Sequence, residues 1–369
     1  MSSWLWLPLG FAALWALAWA HLAFWTRFYT RPFLPDERHM ATCADGLRVA
    51  VARLRPNPSG PAKGAPVLCC HGLACNARFF DFQADRSLGR FLANLGFDVF
   101  LIDLRGAGAS ERGGRGREGF YEYVHQDVPA ALALVRQLTG ARRVLWVGHS
   151  MGGLIGYEQM AAGTDELAAM VALGSPLSLV SIGERGVSIG AELRFSVRLL
   201  RSFGRLLPVI PFGKITRFLA PLAGHVRLWP EHVFLNPKGV SGKVLRHFMV
   251  EVLNDVPRPV LDELATRLLD DASAGGRPMA TVRDALARSP VPTLVLAGSI
   301  DRIAPVAACD VDRYRTGSDH EWGVLSAAAT GLDFGHLDLV LGDAAPTHVY
   351  GRVGGFLLAR AARCESPAP

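Results

Sequence analysis

The stretch RRVLWVGHSMGGLIGYEQM, residues 142–160, decides the fold class. Four apolar residues, Val144 to Val147, run into Gly148-His149-Ser150-Met151-Gly152 and then into a helical pattern. A short apolar run closed by glycine reads as a buried strand, and the residues after it read as a turn and a helix. Strand, Gly-x-Ser-x-Gly and helix, in that order, form the context of a nucleophile elbow. In such a turn the serine backbone is strained and its hydroxyl is presented at the carboxyl edge of the sheet. Gly148 and Gly152 leave room where larger side chains would crowd the turn. A helix starting at Met151 aims its unpaired N–H groups at the reacting oxygen.

Outward from this stretch, short apolar runs recur: LRVAVARL (47–54), VLCC (67–70), FDVFLID (97–103), AAMVALG (168–174), TLVLAG (293–298) and WGVLSA (322–327). Continuous rather than alternating apolar runs indicate strands buried on both faces, as in a parallel sheet. Helical patterns over 79–95, 124–138, 151–162 and 347–362 lie between or after them. This is the rhythm of an α/β layered fold. It breaks once, where about 115 residues separate the strand at 168–174 from that at 293–298, far beyond an ordinary connection. The interruption includes AELRFSVRLLRSFGRLLPVIPFGKITRFL (191–219). Arg194, Arg198, Arg201 and Arg205 fall at helical spacing, with apolar residues along the adjoining face. Such a helix packs on the domain with solvated arginines, or it forms a lid that also meets a membrane surface.

A serine hydroxyl is a poor nucleophile alone, so a base and an orienting acid are expected in the chain order Ser, acid, His. GSIDRIAP puts Asp301 just past a strand, and FGHLDLVLG puts His336 in a loop after the last one. Asp301 would hold His336 in the productive tautomer. Asp333 and Asp338 flank the histidine and are rival acids. Asp301 is preferred because it follows a strand where this topology places the acid. His149 is expected to pack, its ring turned away from the Ser150 hydroxyl. The strand VLCC ends in His71-Gly72-Leu73. The backbone N–H of Leu73 and that of Met151 are the expected oxyanion donors, with His71, Gly72, Gly148 and Gly152 shaping the supporting turns.

These pieces, HGL (71–73), DLRGAGAS (103–110), GHSMGG (148–153), GSIDRIAP (298–305) and FGHLDLVLG (334–342), together resemble the α/β-hydrolase family. The HGL start, the GHLDLVLG end and the large helical insertion look most similar to its acid-lipase-like and esterase branches. The resemblance implies a mainly parallel central sheet with helices on both faces. The core would be split into residues 45–176 and 290–362, with a helical cap at 177–289. It implies a serine hydrolase that cleaves a carboxylic ester through a Ser150–His336–Asp301 triad and a covalent acyl-enzyme. No metal or organic cofactor is implied. The cap matches nothing in the resemblance, so substrate choice is left open. An acyltransferase would use the same triad with an alcohol acceptor, and an amidase or peptidase would release an amine. A non-catalytic binding protein stands against the intact Ser, Asp and His set. An acidic nucleophile, as in dehalogenases and epoxide hydrolases, is excluded by the serine at 150.

Half of the 369 residues are hydrophobic, which excludes disorder. The net charge of +6 is carried by arginine, only four basic residues being lysine. That balance suits anionic surfaces such as lipid headgroups, and no basic block suggests nucleic acid. The six cysteines have no metal or disulfide spacing. Adjacent Cys69 and Cys70 read as small buried hydrophobes. From Trp4 to Trp25 the chain carries no formal charge and five tryptophans. At about 1.5 Å per residue this run matches the roughly 30 Å hydrocarbon thickness of a bilayer. Residues 4–25 are therefore expected to anchor the protein as a single-pass helix. Arg27, Arg31 and Arg38 follow it, which places the catalytic domain on the cytoplasmic side. The competing reading is a cleaved signal peptide with Ala18-Trp19-Ala20 as its site, against which the missing basic n-region argues. Residues 26–45 are expected to be a short tether. A membrane-held enzyme with an apolar cap favours a small-molecule ester of an acyl lipid as substrate.

Overall fold

The structure is a computed structural model, and it describes residues 6–114, 118–163, 165–177, 202, 207–225, 231–269, 279–313 and 319–365. In chain order, helix α1 (Trp6–Tyr29) precedes strands β1 (Glu37–Thr42), β2 (Arg48–Leu54) and β3 (Pro66–Cys70). Helix α2 (Leu88–Asn94), β4 (Asp98–Ile102), α3 (Val128–Thr139), β5 (Val144–His149), α4 (Met151–Ala161) and β6 (Leu167–Leu173) come next. Then come β7 (Val209–Ile210), α5 (Phe212–Leu219), α6 (Gly242–Glu251), β8 (Val256–Pro257), α7 (Arg258–Leu269) and α8 (Met279–Arg288). The core resumes with β9 (Thr293–Gly298) and β10 (His320–Leu325) and closes with α9 (Gly351–Leu358).

Eight strands form one sheet in the order β1-β2-β4-β3-β5-β6-β9-β10. The β1–β2 and β2–β4 pairs are antiparallel and all others are parallel. Every residue of β3, β4, β5, β6 and β9 is buried. The continuous apolar runs anticipate this, because apolar layers cover both faces of the sheet. Cys69 and Cys70 are among the fully buried residues. β5 lies between β3 and β6, so the elbow after it opens near the middle of the sheet's carboxyl edge.

One part of the chain departs from the sequence expectations. The segment 26–45 is not a tether: α1 continues to Tyr29, and Glu37–Thr42 pairs with β2 as an edge strand. ERHMAT shows little apolar character because the strand's burial alternates and one edge is open. The end of α1 also packs on the rest of the protein. Tyr29 is buried with Ala220 and Val250, its carbonyl lies 2.7 Å from His247 Nδ1, and Arg31 pairs with buried Glu251 at 2.7 Å. Residues Leu9–Tyr29 are long and apolar enough to cross a membrane by length and composition. The arginines singled out at 194, 198, 201 and 205 lie outside the described residues. The described parts between β6 and β9 are mainly helical, with the two-residue strands β7 and β8 paired to each other.

Candidate active site

The elbow is built as its spacing requires. Ser150 has φ +53° and ψ −117°, a left-handed conformation that a side chain rarely adopts. A Cβ at 148 would run into the Gly152 backbone, and one at 152 into the Cys70 carbonyl. The two glycines thus allow α4 to start against β3 and β5. The turn is pinned by Ser150 N–H donating to the Leu173 carbonyl (2.8 Å) and by Trp146 Nε1–H donating to the Gly152 carbonyl (3.2 Å).

β9 and the loop after β10 bring the next two residues together across 35 positions. His336 Nδ1 lies 2.7 Å from Asp301 Oδ2, and both side chains are almost wholly buried. Asp301 Oδ1 accepts the N–H groups of Ile303 (2.8 Å) and Ala304 (2.7 Å), which fixes the carboxylate. His149, the residue before Ser150, packs its ring 4.5 Å from that of Phe79 and 4.7 Å from that of His336. Its Nε2–H donates to the His336 carbonyl at 3.0 Å. His149 therefore packs, as expected, and it also braces the loop that carries His336. Burial and the neighbouring His336 hold its pKa well below the ordinary histidine value.

The rival acids have other partners. Asp333 accepts from Ser299 Oγ (2.7 Å) and from the Ala327 N–H (2.9 Å). Asp338 is buried, and its Oδ2 accepts the N–H groups of Gly335 and Asn236, both at 2.6 Å. Burial pushes its carboxyl up to about 7, and its Oδ1 has no partner among the described residues. Leu337 N–H donates to the Phe234 carbonyl (2.9 Å), and Asn236 Nδ2 to that of Asp333 (2.7 Å). Residues 234–236, far from His336 in the chain, thus clamp the loop that carries it. The sequence reading missed this clamp, since nothing in the chain marks Asn236 as its partner.

At the third corner, His71 Nδ1–H donates to the Gly72 carbonyl (2.8 Å) and Nε2 accepts the Leu104 N–H (3.2 Å). Burial lowers its pKa to about 4, so the ring is neutral at neutral pH. Gly72 lies beside Ser150: a Cβ there would make tight contacts, 3.0 Å from His149 Nδ1 and 3.1 Å from the serine Cβ. Among the described residues, neither the Leu73 nor the Met151 N–H donates to a backbone carbonyl. The DLRGAGAS loop braces this corner: Asp103 accepts the N–H groups of Ala77 (2.7 Å) and Ala109 (2.8 Å). Among the described residues, no group of His, Cys, Asp or Glu could hold a metal ion.

Residues 65–193 match a family model described as the alpha/beta hydrolase fold. The chain is 30% identical over 135 residues to Lipase member N of Mus musculus, covering 33% of this chain and 34% of that protein. Identity and coverage are the same for the lysosomal acid lipase/cholesteryl ester hydrolase of Homo sapiens. The match thus spans about a third of these relatives' length. Among solved structures, a thermophilic esterase from Thermogutta terrifontis superposes with a TM-score of 0.57 at 19% identity, over 88% of this chain and 99% of that one. With its mainly parallel eight-stranded sheet and its elbow after β5, the chain has the α/β-hydrolase fold.

Proposed function

We propose that the protein is a serine hydrolase that cleaves a carboxylic ester of lipophilic character. The observation that carries this reading is the buried Asp301–His336 pair on loops beside an elbow that holds Ser150 at φ +53°. In the mechanism, His336 Nε2 takes the Ser150 proton as the hydroxyl oxygen bonds to the ester carbonyl carbon. Asp301 holds Nδ1–H and stabilises the imidazolium that forms. The negative oxygen of the tetrahedral intermediate accepts the N–H groups of Leu73 and Met151. When the intermediate collapses, the carbon–oxygen bond breaks and His336 gives its proton to the leaving alcohol. Water, deprotonated by His336, then releases the acid and restores Ser150. The lipase names of the relatives favour an acyl ester as substrate.

In the same reading α1 holds the enzyme on a membrane, with the catalytic part on the cytoplasmic side. That α1 is kept rather than cleaved is supported by the packing of its last two turns on residues 218–250. The test is labelling with a fluorophosphonate, which reacts with activated serines, alongside hydrolysis of p-nitrophenyl esters of graded chain length. Wild type is expected to label at Ser150 and to prefer medium or long chains. Ser150→Ala is expected to lose both label and turnover while melting at the wild-type temperature. Undiminished turnover by folded Ser150→Ala would end the proposal.

A further inference from the structure

Helix α5 is inside out. On most surface helices polar residues face water and apolar ones face the core. Here Thr216 is buried, its hydroxyl directed to the Gly213 carbonyl. Arg217 turns inward, and its guanidinium donates to the carbonyls of Val250 and Leu253, both at 3.1 Å. Apart from Lys214, the outward residues are apolar: Ile215 is 50% exposed and Phe218 42%, with Leu222 46% exposed just beyond the helix. This apolar face continues that of α1. His21 of α1 packs its ring 4.6 Å from Phe218, and its Nε2–H donates to the Phe218 carbonyl at 3.0 Å. Between the helices runs an open groove of about 380 Å³, lined by Trp15, Trp19 and Leu22 on one side and Pro211, Ile215 and Leu219 on the other.

We propose that α5 is a second membrane element, which seats its Ile215–Phe218–Leu222 face in the lipid leaflet that receives α1, acyl chains filling the groove between them. This rests on the membrane attachment proposed above and goes beyond it. α5 lies along α1 beside residues 15–22, which are 7 to 14 residues from Tyr29, or on the order of 10–20 Å along the helix axis. Any placement that puts this part of α1 in hydrocarbon therefore carries α5 to the membrane. An amphipathic helix lying in the interface needs an apolar face toward the acyl chains, and α5 has that face outward. Lys214, on the rim of the groove with its side chain 63% exposed, has its ammonium 3.8 Å from the Asp255 carboxylate, which offsets its charge beside the apolar face. The protein thus lies against the bilayer and does not hang from it.

The test uses the full chain in vesicles of phosphatidylcholine and phosphatidylglycerol. Single cysteines at Ile215→Cys and, within α1, Ala12→Cys carry an environment-sensitive fluorophore. The six native cysteines are buried, so labelling is selective for the introduced ones. Bromine-labelled acyl chains are expected to quench both probes, and aqueous iodide to quench neither. Ala12 quenched by bromolipid with Ile215 quenched by iodide would overturn this inference and leave the attachment by α1 standing. Iodide quenching at both positions would overturn the two together. If Ile215 were shielded from both quenchers and cross-linked between protomers, the face would belong to a second copy and the inference would fail.

Discussion

Asp333 stands three residues from His336 and Asp301 stands 35 away, yet only Asp301 meets the histidine ring. Asp301→Asn keeps the side-chain shape but offers Nδ1 an amide, which can stabilise the wrong tautomer. In serine proteases the same change costs about 10⁴-fold in kcat. Asp301→Asn is expected to lose about 10³-fold or more in kcat, and Asp333→Asn no more than about threefold, measured on one soluble ester. The reverse ranking would move the acid to Asp333. Asp338 makes a different prediction. Its carboxyl titrates at about 7 in the fold, against about 4 in an unfolded chain. The folded state therefore holds a proton that the unfolded state has given up. The stability this contributes is present in full below about pH 4 and is lost as pH rises through about 7. Asp338→Asn keeps an acceptor for Gly335 and Asn236 and cannot ionise. Its melting temperature should therefore fall less between about pH 4 and 8 than that of wild type; equal slopes in the two proteins would contradict the assignment.

At the scale of elements, β1 and the end of α1 carry the test. A chain beginning at Tyr29 keeps the buried tyrosine, the Arg31–Glu251 pair and the whole of β1. It is expected to fold and to turn over a soluble short-chain ester at about the full-length rate. A chain beginning at Cys43 loses the edge strand and leaves Glu251 with Arg78 at 3.2 Å as its remaining arginine. Removing one partner of a buried ion pair is strongly destabilising. The shorter chain is expected to melt at least about 5 °C lower, read by thermal unfolding at one pH. Equal melting temperatures would show that β1 is dispensable. A start near Arg38, natural if 26–45 were a tether, cuts into β1 itself.

For the whole molecule the proposed membrane attachment makes its own prediction. A net charge of +6 favours anionic lipid, but such attraction is screened over about 3 Å at 1 M salt. The apolar faces of α1 and α5 are insensitive to salt. Full-length protein is therefore expected to stay with vesicles through a wash at about 1 M salt and to be released by detergent. Release by salt alone would make the attachment electrostatic.

The strands of the core sheet, the elbow and the Asp301–His336 pair were legible in the chain because each depends on local pattern or on the order of strands. Buried parallel strands need continuous apolar runs. The elbow needs glycines two residues either side of a serine. An acid and a histidine past later strands follow from the topology. What the chain alone left open is set by contacts between distant residues. The clamp of residues 234–236 on the His336 loop joins positions about 100 apart. The packing of α1 on α5 joins positions 197 apart. Periodicity tells which face of a helix is apolar, but not whether that face turns to the core or away from it. For α5 the carbonyls of Val250 and Leu253 decide, because they accept Arg217 on the inner side and leave the apolar side outward.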